Sequence, residues 1–386
     1  MYSDSTLEAI RSQLDRAKEF TLYQEHLGEA STSTIESWED FREVPFLEED
    51  DLHDDFDQHG PEGSLYDGAA MLSFTPLGED LAPVFDTRRD LEYQAEVNAQ
   101  AFQRAGIEAG DRVLNTFGYH TFGTGIIIHR GLEELGAEVI PAGPGDSEQV
   151  AATIETFDVD GLVGNPSFAL KIAEAGGSVD RFVAAGEPFT SVPGYRQQVK
   201  DALGAVTACD YFGTRQILPV AAETVEESGL VVLDDYAIVE IIDPDTDEVL
   251  GSGERGEVVV THVHKEAVPL IRYRTGDLAE LDQRGESIVM PDGVIGRTDE
   301  RLKVKGVKIY PESLGTVLAA FDGLSGEYRI EVTQPETTDH MTLIVEGEVD
   351  IDQLRSAVTT RLLIEPDEIR AVDELSEPGV VDDRYE

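Results

Sequence analysis

Apolar side chains recur at helical spacing at Leu7, Ile10, Leu14, Ala17 and Phe20, which predicts an amphipathic helix over 5–26. Val44-Pro45-Phe46-Leu47, followed by acidic residues, reads as a turn into a short helix. From residue 91 two periodicities alternate. Helical spacing over 91–105, 123–136, 150–157 and 167–175 is interleaved with short apolar runs at 111–115, 138–141, 161–164, 182–185 and 206–210. Alternation of this kind predicts a parallel sheet with helices packed on it. After Gly229 the texture becomes β-rich, with strands predicted at 236–242, 256–262, 277–281 and 286–290. Asp243-Pro244-Asp245 and Pro291-Asp292-Gly293 supply turns between them. Beyond Gly296 the pattern is that of a small α+β unit, with helices over 314–321 and 350–362 and strands over 328–333 and 340–345. The expected organisation is therefore a large α/β domain with a β-rich part over 1–298 and a small α+β lid over 299–386. No internal repeat or low-complexity tract interrupts it.

Charge changes the picture. Against 29 basic residues the 386-residue chain sets 79 acidic ones, a formal charge of −50, while hydrophobic residues still make up 40%. That is a globular protein with an acidic surface, because the acids are spread along the length and not gathered into a tail. Such a surface repels itself in dilute buffer and gains from screening, so a salt-loaded cytoplasm is the expected setting. Nucleic acid and anionic membranes are disfavoured as partners, since binding them needs a basic face. The start of the chain has no basic stretch leading into an apolar one, and nowhere do ~18 apolar residues run together, so a cytoplasmic protein is expected. The single cysteine, Cys209, excludes an internal disulfide and any multi-cysteine zinc site. It lies in a strand-like run and reads as a buried filler.

Candidate chemistry gathers at a few segments. Ile271-Arg272-Tyr273-Arg274-Thr275-Gly276-Asp277 puts an aspartate at a Gly-containing turn, where a carboxylate can accept hydrogen bonds from vicinal hydroxyls. Gly296-Arg297 follows about twenty residues later, then Asp299-Glu300 before the basic stretch 301–305. Gly186-Glu187-Pro188 ends one predicted strand, and Asp210-Tyr211-Phe212-Gly213-Thr214-Arg215-Gln216 ends another. Gly118-Tyr119-His120-Thr121-Phe122-Gly123 is an aromatic, glycine-rich element, in which His120 reads equally well as a core or capping histidine.

In these motifs, their order and their spacing, the chain resembles the phenylacetate–CoA ligase branch of the adenylate-forming, AMP-binding enzymes. The resemblance implies that Asp277 and Arg297 hold the ribose and neighbouring phosphate oxygens, and that Asp299 is the hinge between two poses of the lid. It implies that Gly186, Glu187, Pro188, Asp210, Tyr211, Phe212, Gly213 and Thr214 border the adenine, Phe212 by stacking. Gln216 would stand where the family has a Mg²⁺-binding glutamate, and Tyr119, His120 and Gly123 would line the acid pocket. Ser73, Thr75 and Gly78 would align with the phosphate loop.

The loop departs from the pattern: Ser73-Phe74-Thr75-Pro76-Leu77-Gly78-Glu79-Asp80 has lost the lysine and a glycine, Pro76 removes an amide donor, and two acids close it. The last lysine is Lys308, so the tail lacks the cation that adenylating members carry near the C-terminus. An amide at Gln216 is a poorer ligand for a hard cation, which weakens any Mg²⁺ site, and no protein metal site is expected otherwise. The expected activity is a divergent acid–CoA ligase acting on a small carboxylic acid with ATP, or holding AMP, and CoA. Two alternatives stay open: a non-catalytic nucleotide- or acyl-CoA-binding protein of the same fold, and an acyl-protein synthetase. Self-association is undetermined.

Overall fold

The computed structural model describes residues 2–24, 26–28, 30, 33–59, 68–77, 80–226, 229–298, 302–304, 307–309, 311, 313–321, 323–333, 339–362, 364–375 and 378–382. The chain opens with helix α1 (Asp4–Ala17), whose first turn is capped by Ser3 Oγ accepting from Thr6 N–H at 3.1 Å. The expected helix over 5–26 is in fact two, since α2 (Thr21–Gln24) begins after a turn at Phe20. The break lets Tyr23 bury its ring and donate its hydroxyl to Pro269 O at 2.6 Å. Helices α3 (Trp38–Arg42) and α4 (Glu49–His59) follow, then the hairpin β1 (Met71–Leu77) and β2 (Asp80–Asp86). Helix α5 (Arg88–Arg104) starts from a capping box made by Thr87 and Asp90.

The parallel layer is β3 (Arg112–Asn115), α6 (Thr124–Leu135), β4 (Glu138–Pro141), α7 (Ser147–Phe157), β5 (Gly161–Gly164), α8 (Pro166–Glu174), β6 (Arg181–Ala185), α9 (Tyr195–Leu203) and β7 (Thr207–Phe212). Strands β8 (Ala221–Ala222), β9 (Leu230–Val232), β10 (Ala237–Ile242), β11 (Arg255–His262), β12 (Tyr273–Glu280), β13 (Asp282–Arg284), β14 (Ser287–Met290) and β15 (Gly296–Arg297) form the β-rich part. Four of these extend the parallel layer into one sheet of order β13-β14-β9-β8-β7-β6-β5-β3-β4, and the others make a second sheet, β10-β11-β12-β15. The spatial order β4-β3-β5-β6-β7 means the chain steps outward to β4 and then returns across β3 to β5. That reversal is a topological switch point, and in open α/β sheets the ligand crevice lies outside the strand ends there.

After residue 299 come the ribbon β16 (Leu302–Val304) and β17 (Val307–Ile309), α10 (Ser313–Leu318), β18 (Leu324–Thr333), β19 (His340–Gly347), α11 (Ile351–Leu362), β20 (Glu368–Val372) and β21 (Gly379–Asp382). The sheet β20-β19-β18-β21 covers its own apolar cluster, in which Val304, Leu318, Ile330, Leu343, Leu354 and Val358 take part. Asp299, expected as the boundary, lies outside the described residues. Among the described residues no helix is long and apolar enough to cross a membrane.

One arginine of the 271–277 motif ties the N-terminal helices to the second sheet. Arg272 is fully buried and pairs with Glu240 at 3.0 Å. It also donates to the carbonyls of Arg42 and Val44 and lies 4.0 Å over the Phe46 ring. Arg274 serves a similar end, pairing with Glu257 at 2.6 Å. Cys209 is buried in β7, and burial pushes its thiol up to about 12, the behaviour of an inert core residue.

Candidate active site

The strand ends at the switch point carry the expected glycine-rich and aromatic segments. Asn115 closes β3 with its side chain wholly buried. Its amide donates to Tyr119 Oη and Gly125 O, both at 2.9 Å, and its carbonyl accepts from Phe117 N–H at 3.0 Å. Tyr119 Oη also meets His129 Nδ1 at 3.0 Å, and burial raises its pKa to about 12. Its hydroxyl is therefore spent on the scaffold, while His120, exposed, folds over Gly118 and packs edge-on against Phe122. Gly125 must be glycine: a β-carbon there would sit 2.5 Å from Phe117 O.

At the next two strand ends, Gly186 (φ +79°) approaches Asn165 and Phe117 so closely that a β-carbon would lie 2.8 Å from Asn165 Nδ2. Glu187 accepts from the Ser167 N–H at 2.9 Å and its Oγ at 2.6 Å, so its carboxylate caps α8. Gly186 and Pro188 remain exposed at the crest.

Strand β7 alternates faces. Asp210 is buried, accepts from Thr190 N–H and Tyr211 N–H at 2.9 Å each, and burial raises its carboxyl to about 6. It shapes the crest by holding the turn at Thr190. Tyr211 points to the opposite face, stacking on Phe102 and donating to Asn98 at 2.6 Å, so it belongs to the core and not to an adenine wall. Phe212 is half-buried on Asp210's side. Gly213 and Thr214 form the turn that follows, with Thr214 N–H bonded to Ile217 O at 2.9 Å.

Gln216 faces a small, mostly apolar cavity lined also by Thr75, Val84, Lys265 and Leu270. Among the described residues no group of three or more His, Cys, Asp or Glu side chains has the geometry to hold a metal.

The segment expected to form a phosphate loop is a hairpin. Ser73 and Thr75 point inward from β1, and only Gly78 and Glu79, outside the described residues, separate the paired Leu77 and Asp80. Ser73 Oγ accepts from Arg215 Nη2, which also donates to Asp86 at 2.8 Å. Lys265 Nζ bonds the other oxygen of Asp86 and stands 3.8 Å from Asp90. Burial alone would raise the Asp86 carboxyl. The Lys265 and Arg215 charges outweigh it and hold the group below the ordinary carboxylate value.

Asp277 and Arg297 face each other across β12 and β15, Arg297 Nη1 donating to Asp277 Oδ1 at 3.2 Å. Gly276 (φ +74°) leaves room for that guanidinium, since a β-carbon would lie 3.0 Å from Arg297 Nη2. The run leading to β15 packs on the β7 end, where a β-carbon on Gly293 would meet Thr190 at 3.3 Å and Asp210 at 3.4 Å. The Asp277–Arg297 pair is thus joined through Gly293 to the crest.

Sequence comparison decides the family. Over 328 residues the chain is 33% identical to the phenylacetate–coenzyme A ligase of Thermus thermophilus, covering 80% of this chain and 72% of that protein. The chain belongs to the phenylacetate–CoA ligase family. The relative from Pseudomonas putida is 30% identical over 369 residues, covering 90% of this chain and 82% of that one. The AMP-binding enzyme C-terminal domain family matches residues 306–366. In overall fold the chain is similar to a 2-hydroxyisobutyryl-CoA ligase crystallised in the postadenylation state, with TM-score 0.83, 24% identity and coverage of 98% and 89% of the two chains.

For a phenylacetate–CoA ligase family member, several residues of the crest carry no motif. Asn115 ends one parallel strand and Asn165 directly follows its neighbour, and that position is the signal that could have found them. Arg215 and Asp86 are 129 residues apart in sequence, so their pairing left no local trace.

Proposed function

We propose that this protein is an AMP-forming acid–CoA ligase. A carboxylate oxygen of the acid bonds to the α-phosphorus of ATP as the bond to pyrophosphate breaks. The CoA sulfur then attacks the acyl carbon, its thiol proton is lost, and AMP departs. Family membership carries this reading, and the geometry that supports it is the Asp277–Arg297 pair set on adjacent strands beside the crest. On it, Asp277 and Arg297 hold the ribose side of the nucleotide, and Gly186, Pro188 and Phe212 border the base. The segment 118–123 borders the acid, with Gly123 at its end, while Asp299 is the pivot between residues 1–298 and a lid over 299–386. The acid charge is read as a fit to a salt-loaded cytoplasm. Gln216 offers an amide where a hard cation favours a carboxylate, so no step is routed through a metal ion.

A second reading has one observation in its favour: residues 73–77 are a strand paired with residues 80–84, so the segment aligned with the phosphate loop is committed to a ribbon. A protein of this family that binds AMP, an acyl-adenylate or acyl-CoA without adenylating would share that feature. Purified protein in concentrated potassium chloride, given ATP, CoA and a panel of aryl and short-chain acids, separates the two. Acid-dependent AMP release supports the ligase. Stabilisation by AMP with no AMP release across the panel supports the binder.

A further inference from the structure

Arg215 is a buried guanidinium with donors to spare. Its Nη2 is engaged by Asp86 and Ser73, yet Nε and Nη1 have no hydrogen-bond partner among the described residues, although the side chain is only 5% exposed. Buried charged donors left unmatched are costly, so a ligand that brings acceptors gains affinity there. Gly123, with no side chain, leaves that face of the guanidinium uncovered: a β-carbon there would sit 3.1 Å from Ser73 Cβ and 3.4 Å from Arg215 Nε.

The negative charge of Asp86 is shared between Lys265 and Arg215, and the second carboxylate, Asp90, stands beside Lys265, so the four charges sum to zero with Arg215 the less closely matched cation. Asp90, 3.8 Å from Lys265, is answered by the N–H groups of Thr87, Glu266 and Ala267 at 2.9, 2.6 and 3.0 Å. The phosphate-loop segment 73–80 and the tail beyond Lys308 offer no lysine for the reacting group.

We infer that Arg215 receives the anionic oxygen of the reacting centre, the acid's carboxylate as it becomes joined to the α-phosphate. The inference deepens the ligase reading and rests on it. No proton moves in that step. The guanidinium stays charged throughout, holds the oxygen, and offsets negative charge as the new bond forms. The segment ending at Gly123 is fastened to β1 by Phe74 N–H donating to Thr121 O at 2.9 Å, which sets Gly123 beside Ser73 and Arg215.

Two variants test this, Arg215→Gln and Arg215→Lys, the second keeping a cation for Asp86 while removing Nε. Thermal shift with phenylacetate and, separately, with AMP is read alongside steady-state kinetics. The expected result is that phenylacetate raises the Tm of the wild type and not of the variants, while the AMP shift is kept. KM for the acid rises and kcat/KM falls roughly a hundredfold, with KM for ATP and CoA unmoved. A purely structural role would move all three KM values together and would overturn the assignment. Loss of the AMP shift with the phenylacetate shift retained overturns it, because the guanidinium would then serve the nucleotide and not the acid. Equal shifts in wild type and variants, or none in the wild type, overturn it. An Arg215-dependent phenylacetate shift without AMP release keeps the carboxylate contact but removes the ligase reading, and with it the assignment of Arg215 to the reacting centre.

Discussion

With Lys265 and Arg215 on either side, Asp86 stays ionised although it is buried. Its folded pKa lies below the unfolded value of about 3.9, so its stabilisation is complete above about pH 5 and fades as pH falls through the folded value. Asp86→Asn keeps the shape and removes the charge, leaving two cations facing each other without an anion between. It is expected to cost about 3–5 kcal/mol at neutral pH and to flatten the acid limb of the stability curve. Urea unfolding of both forms from pH 3 to pH 7 measures this, and parallel acid limbs would contradict it. Single-residue roles of this sort were the least legible in the sequence. Arg272 stood in a motif whose aspartate suggested a ligand site, but its partners, Glu240 and the carbonyls of Arg42 and Val44, come from distant parts of the chain. Tyr211 was placed at the adenine because its motif contains it. Strand alternation, which puts it on the face opposite Asp210 and Phe212, decides otherwise.

At the level of elements the periodicity did well where packing and pattern agree. Strands β3, β5, β6 and β7 carry short, mostly apolar runs between helices, and a buried parallel strand needs just that. Helix α9 went unrecognised because its sequence, YRQQVKDAL, buries only Val199 and Leu203 and shows too thin an apolar stripe to count. The phosphate-loop expectation followed a motif alignment, whereas the register from Met71↔Asp86 to Leu77↔Asp80 makes the same residues a regular ribbon. The segment 117–125 depends on one backbone approach. Gly125→Ala would drive a methyl group into Phe117 O and Gly118 O, at 2.5 and 2.7 Å, and neither is a side chain that can rotate away. The expected outcome is a loss of about 1–3 kcal/mol in stability from overpacking. On the proposed placement of the acid beside 118–123, it is joined by a rise in KM for the acid larger than that for ATP. Kinetics with each substrate varied in turn settle it, and equal rises would place the loop's influence on the whole fold.

Across the whole molecule the charge of −50 acts on every surface at once. Its self-repulsion is a long-range term, and the Debye length shrinks from about 30 Å at 0.01 M salt to about 10 Å at 0.1 M and about 3 Å at 1 M. The buried pairs Arg272–Glu240 and Arg215–Asp86 lie within 3.0 Å inside the protein and are screened far less. Added potassium chloride therefore removes the unfavourable term and leaves the favourable pairs nearly intact. Tm is expected to climb steeply between 0.01 and roughly 0.3 M and to level off near 1 M, if screening is the whole effect. A scanning calorimetry series in potassium chloride, repeated with potassium sulfate, distinguishes screening from salting-out. A sulfate curve that keeps rising past the plateau of the chloride curve assigns the further gain to exclusion of the salt from the surface. A Tm that stays flat over the first decade of ionic strength would mean that the acids are already balanced locally by the 29 basic groups. Number speaks against that, because 79 acidic residues face 29 basic ones and cations such as Arg274 and Arg196 are already committed to the buried Glu257 and Glu223.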